Sequence, residues 1–381
     1  MHVKYFPWAE VVVFCASMAF FGAILFGNIY TDIQLHIMHI QEMLSGARPP
    51  PNFMYFLTVY AVALFDTDTL SLHISSMMVL SLAVMAKFSL TRIYSTKHFN
   101  ELPTGATVPR SVIILFSLSL LIVFSLPANT SYLGQISPNV WHNSTTIFVM
   151  PFALLLFWQS YKQLQSPTLA GAVLVSILCV LNAFAKPSFL FVFCISYPLM
   201  LLSQFGSNGQ FWKNLWPVTV GVIATAIIYY LVYELSFGNR YTSESHIVIW
   251  PFRVWAHLSN NIPLSFICSN IFPLAYIGFY RKDCNQSPLM KYALISYVIS
   301  VIIFIVFAET GPRLFHGNFY WQCVICGYIL FHVTLLRFIE KVIAFGMRNW
   351  KNIIIAAAFS SHVIAGSLYL GRLLLTKSYY Y

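Results

Sequence analysis

Eleven apolar runs dominate the sequence, at residues 9–30, 70–90, 111–127, 145–161, 167–184, 189–205, 217–236, 264–280, 292–308, 320–337 and 353–371. About 20 apolar residues make a helix about 30 Å long, which matches the hydrocarbon thickness of a bilayer. Only helices and closed barrels satisfy all their backbone groups there, and continuous rather than alternating apolar runs call for helices. The expected fold is an all-α integral membrane protein with about eleven transmembrane helices and helices lying in the external interface. Charged residues make up only 8% of the 381, against about 25% in soluble domains. Residues 1–381 therefore read as a single polytopic membrane domain with no soluble module. The net charge of +10 belongs to loops on one membrane face, not to a nucleic-acid surface. The seven cysteines lack the paired spacing of a zinc site or disulfide framework, and Cys179, Cys194 and Cys268 sit inside apolar runs.

A twelfth apolar segment, 53–65, is too short to cross and suits an interfacial or re-entrant helix. Charge supports that reading. With the amino terminus cytoplasmic and 53–65 not crossing, about fourteen of the 21 basic residues face the cytoplasm, as the positive-inside rule requires. A crossing there would put Arg92 to Arg110 outside and invert everything after them. The first run lacks a small-residue cleavage site and is expected to remain as the first span. The external face then carries 31–69, 128–144, the Lys186 turn, 237–263, the turn from Glu309 to Phe319, and the carboxyl terminus.

Between the first two spans lies TDIQLHIMHIQEMLSGARPPPN, residues 31–52. Ile33, Ile37, Ile40 and Leu44 recur at helical spacing as one apolar stripe. Asp32, His36 and His39 fall on a second stripe, roughly 90° round the helix. Thr31 can cap the start, and Ser45-Gly46 with Pro49, Pro50 and Pro51 stops the helix. Such a helix lies in the interface with its polar edge turned toward whatever the protein encloses. Asp32 reads as a reactive carboxylate there or as a helix-start residue favoured by the dipole. His36 and His39 read as substrate contacts or as interfacial amphipaths.

Other polar groups on the same face add candidates. Asp66-Thr67-Asp68 reads as a D-x-D metal pair or as an ordinary N-cap before the run at Leu70. No cofactor is required, and the cap is preferred over a divalent cation. In SYLGQISPNVWHNSTTI, Trp141, His142 and Asn143 offer the aromatic face and amide that a sugar ring needs, or an interfacial belt and a cap. Lys186 interrupts an apolar stretch, and Arg313 and His316 follow Glu309 in AETGPRLFHGNF. Cations at that depth suit a phosphate, which Arg can grip bidentately. Alternatively Glu309 pairs with Arg313 and Lys186 snorkels. Arg240 and Arg253 are further cations of this kind.

One span, an acid just outside it, an interfacial helix, and a proline-led second interfacial helix: this order resembles the GT-C superfamily. Its members are polytopic glycosyltransferases that use polyprenyl- or dolichyl-phosphate sugars, such as protein O-mannosyltransferases and the aminoarabinose transferases of lipid A. TDIQLHIMHIQEML matches their first external loop, and RPPPNFMYFLTVYAVALF resembles their P-P-L-type interfacial segment. The resemblance implies Asp32 as general base, the SPNVWHN loop over the same cavity, and a polyprenyl-phosphate-linked sugar as donor. The acceptor would be a hydroxyl on a glycan, lipid or protein, and the setting a bacterial inner membrane with a periplasmic site. Many members carry a second acid in the second loop; here 128–144 has none. Arg313 (oriented by Glu309), His316 and Lys186 would hold the donor phosphate, and Asp32 would take the acceptor proton with inversion. A lipid-linked glycan polymerase or ligase would rely instead on arginine-rich external loops. A transporter or flippase would need polar groups near the midplane, broken helices and often inverted repeats, and no repeat is visible.

Overall fold

The computed structural model describes residues 7–27, 29, 31–46, 52–102, 107–128, 134–232 and 246–377. Pro49 to Pro51, Asn129 to Ser131 and Arg240 lie outside the described residues. The helices are α1 (Trp8–Phe26), α2 (Asp32–Leu44), α3 (Phe53–Val62), α4 (Thr69–Asn100), α5 (Arg110–Ile122), α6 (Ser144–Gln165), α7 (Leu169–Ala185), α8 (Ser188–Phe205) and α9 (Gly209–Val232), then α10 (Arg253–Leu258), α11 (Ile262–Phe279), α12 (Arg281–Gln286), α13 (Pro288–Val306), α14 (Trp321–Phe345) and α15 (Trp350–Thr376). Among the described residues nine helices are long and apolar enough to cross a membrane: α1, α4, α6, α8, α9, α11, α13, α14 and α15. The protein is thus a multi-pass helical membrane protein. The eleven expected spans all fall on helices, but α5 and α7, with 13 and 17 residues, fall short of that length.

Packing is organised on two long helices. The 32-residue α4 takes α1 on one side and α6 on the other, and α6 leads through α7 to α9. Nearly all of α14 is buried, with α4, α6, α8, α11, α13 and α15 around it. The helices α2 and α3 lie at the end of the bundle where α1 finishes and α4 begins. Ile33, Ile37 and Ile40 of α2 are buried, while Leu44, the last of the expected stripe, is 36% exposed. Thr31 caps α2: its Oγ1 accepts from Ile33 N, and Gln34 Oε1 accepts from Thr31 N. A short antiparallel ribbon that the sequence did not suggest pairs β1 (Ile247–Ile249) with β2 (Phe307–Glu309), Val248 facing Ala308.

The largest departure from expectation is at α5. The run expected to span at 111–127 stops being helical at Ile122, and 134–143, expected as an external loop, is buried in the bundle. Irregular backbone at membrane depth is tolerated only where protein satisfies it, and here side chains from distant helices do so. Asn139 Nδ2 donates to Leu120 O (2.9 Å) and Val123 O (2.7 Å), capping the broken end of α5. Lys87 Nζ of α4 donates to Asn139 Oδ1 and lies 3.8 Å from the centre of the Tyr328 ring. His362 Nδ1 donates to Phe124 O, Trp255 Nε1 to Gly134 O, and Tyr320 OH to Gln135 O.

Gly366 of α15 is what lets the broken helix sit this deep. A Cβ there would lie 1.7 Å from Ile122 O and 2.7 Å from Ile122 C, both backbone atoms with no rotamer to yield. Overpacking costs about 1–3 kcal/mol where side chains can shift. Gly366→Ala is expected to reach the upper end of that range or beyond, read as a lowered thermal midpoint in detergent. A wild-type midpoint would mean that α15 does not approach Ile122 this closely.

Candidate functional site

Four chain segments meet at the end of the bundle where α1 finishes. Asp32 opens α2, where the positive end of the helix dipole favours a carboxylate. Asn143 is the N-cap of α6, its Oδ1 accepting from Thr146 N at 3.0 Å. Lys186 follows the last residue of α7, and its backbone N–H closes that helix on Asn182 O. His316 lies in the turn between β2 and α14.

Asn143 is the bridge. Its Nδ2 donates to Asp32 Oδ2 at 2.6 Å, while its Oδ1 accepts from Lys186 Nζ at 3.3 Å. Donor and acceptor duties on the two ends of the amide fix its orientation. Lys186 Nζ also donates to Thr146 Oγ1 (2.7 Å) and Thr145 Oγ1 (3.1 Å), and it sits 4.7 Å from the centre of the Trp321 ring. Lys186 is only 7% exposed and touches neutral oxygens and a ring face, with no carboxylate in direct contact among the described residues. Burial pushes its ammonium down to about 7, against the raising pull of Asp32. The Asp32 carboxyl is raised above its ordinary value by burial, which outweighs the Asn143 hydrogen bond and the charges of Lys186 and His316. Asp32 remains partly exposed, and among the described residues its Oδ1 carries no hydrogen bond.

The remaining expected residues divide. His36 joins the cluster: its Nδ1 meets Ser144 Oγ at 2.5 Å, and its ring stands edge-on to Phe56. Burial, with Lys186 and His39 adding to it, holds His36 down at about 3, so it is neutral. His39 does not join; it is more exposed and pairs with Glu42 at 3.0 Å. Trp141 does not offer the open stacking face expected of it. Its ring is buried against Phe20 (5.2 Å) and Phe21 (6.3 Å) of α1, because the segment carrying it is folded into the bundle. His142 is buried beside Trp321 (6.0 Å). Glu309 and Arg313 stand 3.6 Å apart, with Asn318 Nδ2 also donating to Glu309. Arg253 lies over the Trp250 and Phe315 rings.

Asp66 and Asp68 are committed to capping. Asp68 Oδ2 accepts from Leu70 N and Ser71 N, and Asp66 accepts from Ser71 Oγ and Asp68 N. Those bonds, Ser71 first, hold the Asp66 carboxyl below its usual value. Among the described residues no group of three or more His, Cys, Asp and Glu side chains could hold a metal. The Asn143-Ser144-Thr145 sequon is buried, and the amide nitrogen that would carry a glycan is bonded to Asp32.

Residues that sequence reasoning passed over are Thr145, Thr146 and Trp321, which cradle Lys186. The hydroxyl run after Asn143 was the available signal, but it reads equally well as capping. No family model matches the chain, and no curated protein matches it.

Proposed function

We propose that this protein is a GT-C-like membrane glycosyltransferase that moves a sugar from a polyprenyl-phosphate carrier to an acceptor hydroxyl. The observation that carries this reading is the Asp32–Asn143–Lys186 chain, a carboxylate and an ammonium held apart by one amide at the mouth of an apolar bundle. The acceptor O–H attacks the anomeric carbon as the bond from that carbon to the phosphate oxygen breaks. Asp32 Oδ1 takes the proton, and the phosphate leaves on its lipid carrier, inverting the centre. Lys186, with His316 and the Arg313 loop, offsets the negative charge gathering on the leaving phosphate, so no metal is needed for the step.

An apolar groove beside the site supports a lipid-borne donor. It has a volume of about 660 Å³ between α3 and α7 and is lined by Phe53, Leu57, Ala61, Leu181 and Phe184. Phe184 of its lining precedes Lys186 by two residues, which puts the groove beside the end of α7 that carries the ammonium. The positive-inside pattern of the loops supports placing this end on the external face, and the family resemblance supports a periplasmic setting.

One observation favours a second reading, a transporter or flippase for a lipid-linked substrate: α5 ends early at Ile122, and Lys87 and Asn139 place buried polar groups beside non-helical backbone inside the bundle. The test is to reconstitute the protein in liposomes with a polyprenyl-phosphate-linked sugar and hydroxyl acceptors. A covalent glycoside with release of polyprenyl phosphate is expected. Movement of the lipid across the bilayer without any product would overturn the transferase and leave the carrier; chain elongation of one glycan on its own lipid would indicate a polymerase.

A further inference from the structure

The helices α4, α6 and α14 all run away from the Asp32 site, and their far ends enclose a second cavity. From Ser144, beside Asp32, to Lys162 on its rim is about 27 Å of helix at 1.5 Å per residue. The cavity has a volume of about 570 Å³, within the range of about 300–1,000 Å³ that small-molecule sites occupy.

Its wall is a fixed aromatic shelf. The Trp158 ring stacks on Tyr94 with centroids 4.8 Å apart and planes 9° apart, and Gln159 Nε2 donates to Tyr94 OH at 2.9 Å. Its floor is a closed ionic network. Arg337 reaches Asp283 and Glu340 at 2.6 Å each, and Lys341 also bonds Asp283. Two cations and two carboxylates cancel there, so the floor adds donors but little net charge.

The rim does not cancel. Lys97 stands 3.8 Å from Glu101 with both side chains more than half exposed, so Glu101 offsets one rim cation and Lys162 leaves the rim with one net positive charge. Lys162, on the facing helix, is exposed and has no ion pair among the described residues. Two cationic side chains thus overhang a pocket walled by an aromatic stack and glutamine amides. That combination asks for an anionic group at the rim and a hydroxyl-rich group below it, its C–H edges against the half-buried Tyr94 and Tyr161 and its hydroxyls on the amides.

We propose that this cavity binds a phosphate ester carrying a hydroxylated head, either a lipid headgroup entering from the bilayer or a free sugar or polyol phosphate. The site is separate from Asp32 and does not depend on the glycosyl-transfer reading.

The full-length protein in phosphatidylcholine nanodiscs supplies the test. sn-Glycerol 3-phosphate serves as the soluble probe, and phosphatidylglycerol mixed into the disc serves as the lipid probe. Either one is expected to raise the thermal midpoint of the wild type. Lys97→Gln with Lys162→Gln should abolish that rise, while Lys213→Gln, which removes an exposed cation on α9, should keep it. A rise with phosphatidylglycerol alone identifies a headgroup, and a rise with glycerol 3-phosphate alone a soluble ester. No rise with either probe, or a rise that survives in the double variant, overturns the proposal.

Discussion

Asp32→Asn is expected to lower the turnover of glycosyl transfer by about 10²- to 10⁴-fold, the usual contribution of a positioned general base, while donor binding survives. The substitution keeps the shape of the side chain and can still accept from Asn143 Nδ2, now at 2.6 Å from the carboxylate. What it removes is the basic Oδ1, the one carboxylate oxygen of the cluster with no hydrogen bond among the described residues. In the proposed reading Lys186 and the apolar groove hold the donor, so its affinity should change little. Loss of rate at retained binding is the signature of an interaction made only in the transition state. Initial rates at saturating donor, set beside donor affinity measured separately, distinguish the two. His39→Ala is the control on the same helix. Its side chain pairs outward with Glu42, and its removal should leave the rate near that of the wild type. A near-normal rate in Asp32→Asn would remove the carboxylate from the chemistry whatever the family resemblance says.

How much of this could be read from the sequence follows from the range of the interactions. Apolar runs report on each helix's own solvent, and the nine long helices, the Thr31 cap and the Asp68 cap were all legible because each depends on neighbours in sequence. The short α3 was legible too: the run 53–65 forms a single helix over Phe53–Val62, well below the length of the nine long ones. The break in α5 was not. Its run is as apolar as the others, and what ends it is Asn139 on its carbonyls and the space left by Gly366, both distant in the chain. The same holds at the site. Asp32 and Lys186 could be singled out as ionisable groups in apolar surroundings, but the amide joining them is 111 residues from the first and 43 from the second. Trp141 failed for the complementary reason: its composition fits a sugar platform, and only the fold shows that its ring faces α1. Residue type nominated the candidates, and burial selected among them.

The pH profile carries the second large effect, and its sign follows from which form each group must take. As the proposed base, Asp32 would act only when deprotonated, and burial raises its carboxyl above its ordinary value, so the acidic limb should be displaced upward. As the proposed phosphate ligand, Lys186 would act only when protonated, and burial brings it down to about 7. In the free enzyme the charge on Lys186 is therefore lost as pH rises through about 7, some three units earlier than for an exposed lysine. Because kcat/KM reports the free enzyme, it should show a basic limb near that value. A charge-assisted hydrogen bond contributes about 1.5–3 kcal/mol, so the fall across the limb should be about ten- to a hundredfold. Bound donor places a phosphate beside the ammonium and favours its charged form, so the basic limb of kcat should sit at higher pH than that of kcat/KM. Lys186→Arg keeps a permanent charge and should erase the limb in kcat/KM, whereas Lys186→Gln should be slow at every pH with no basic limb. The proposed donor, a polyprenyl-phosphate sugar, is a phosphodiester that does not titrate in this range, so the limb would not come from it. If Lys186→Arg retained the same limb near 7, the titrating group would be another, and Lys186 would be left as the residue that holds Asn143 and the first turn of α6 in place.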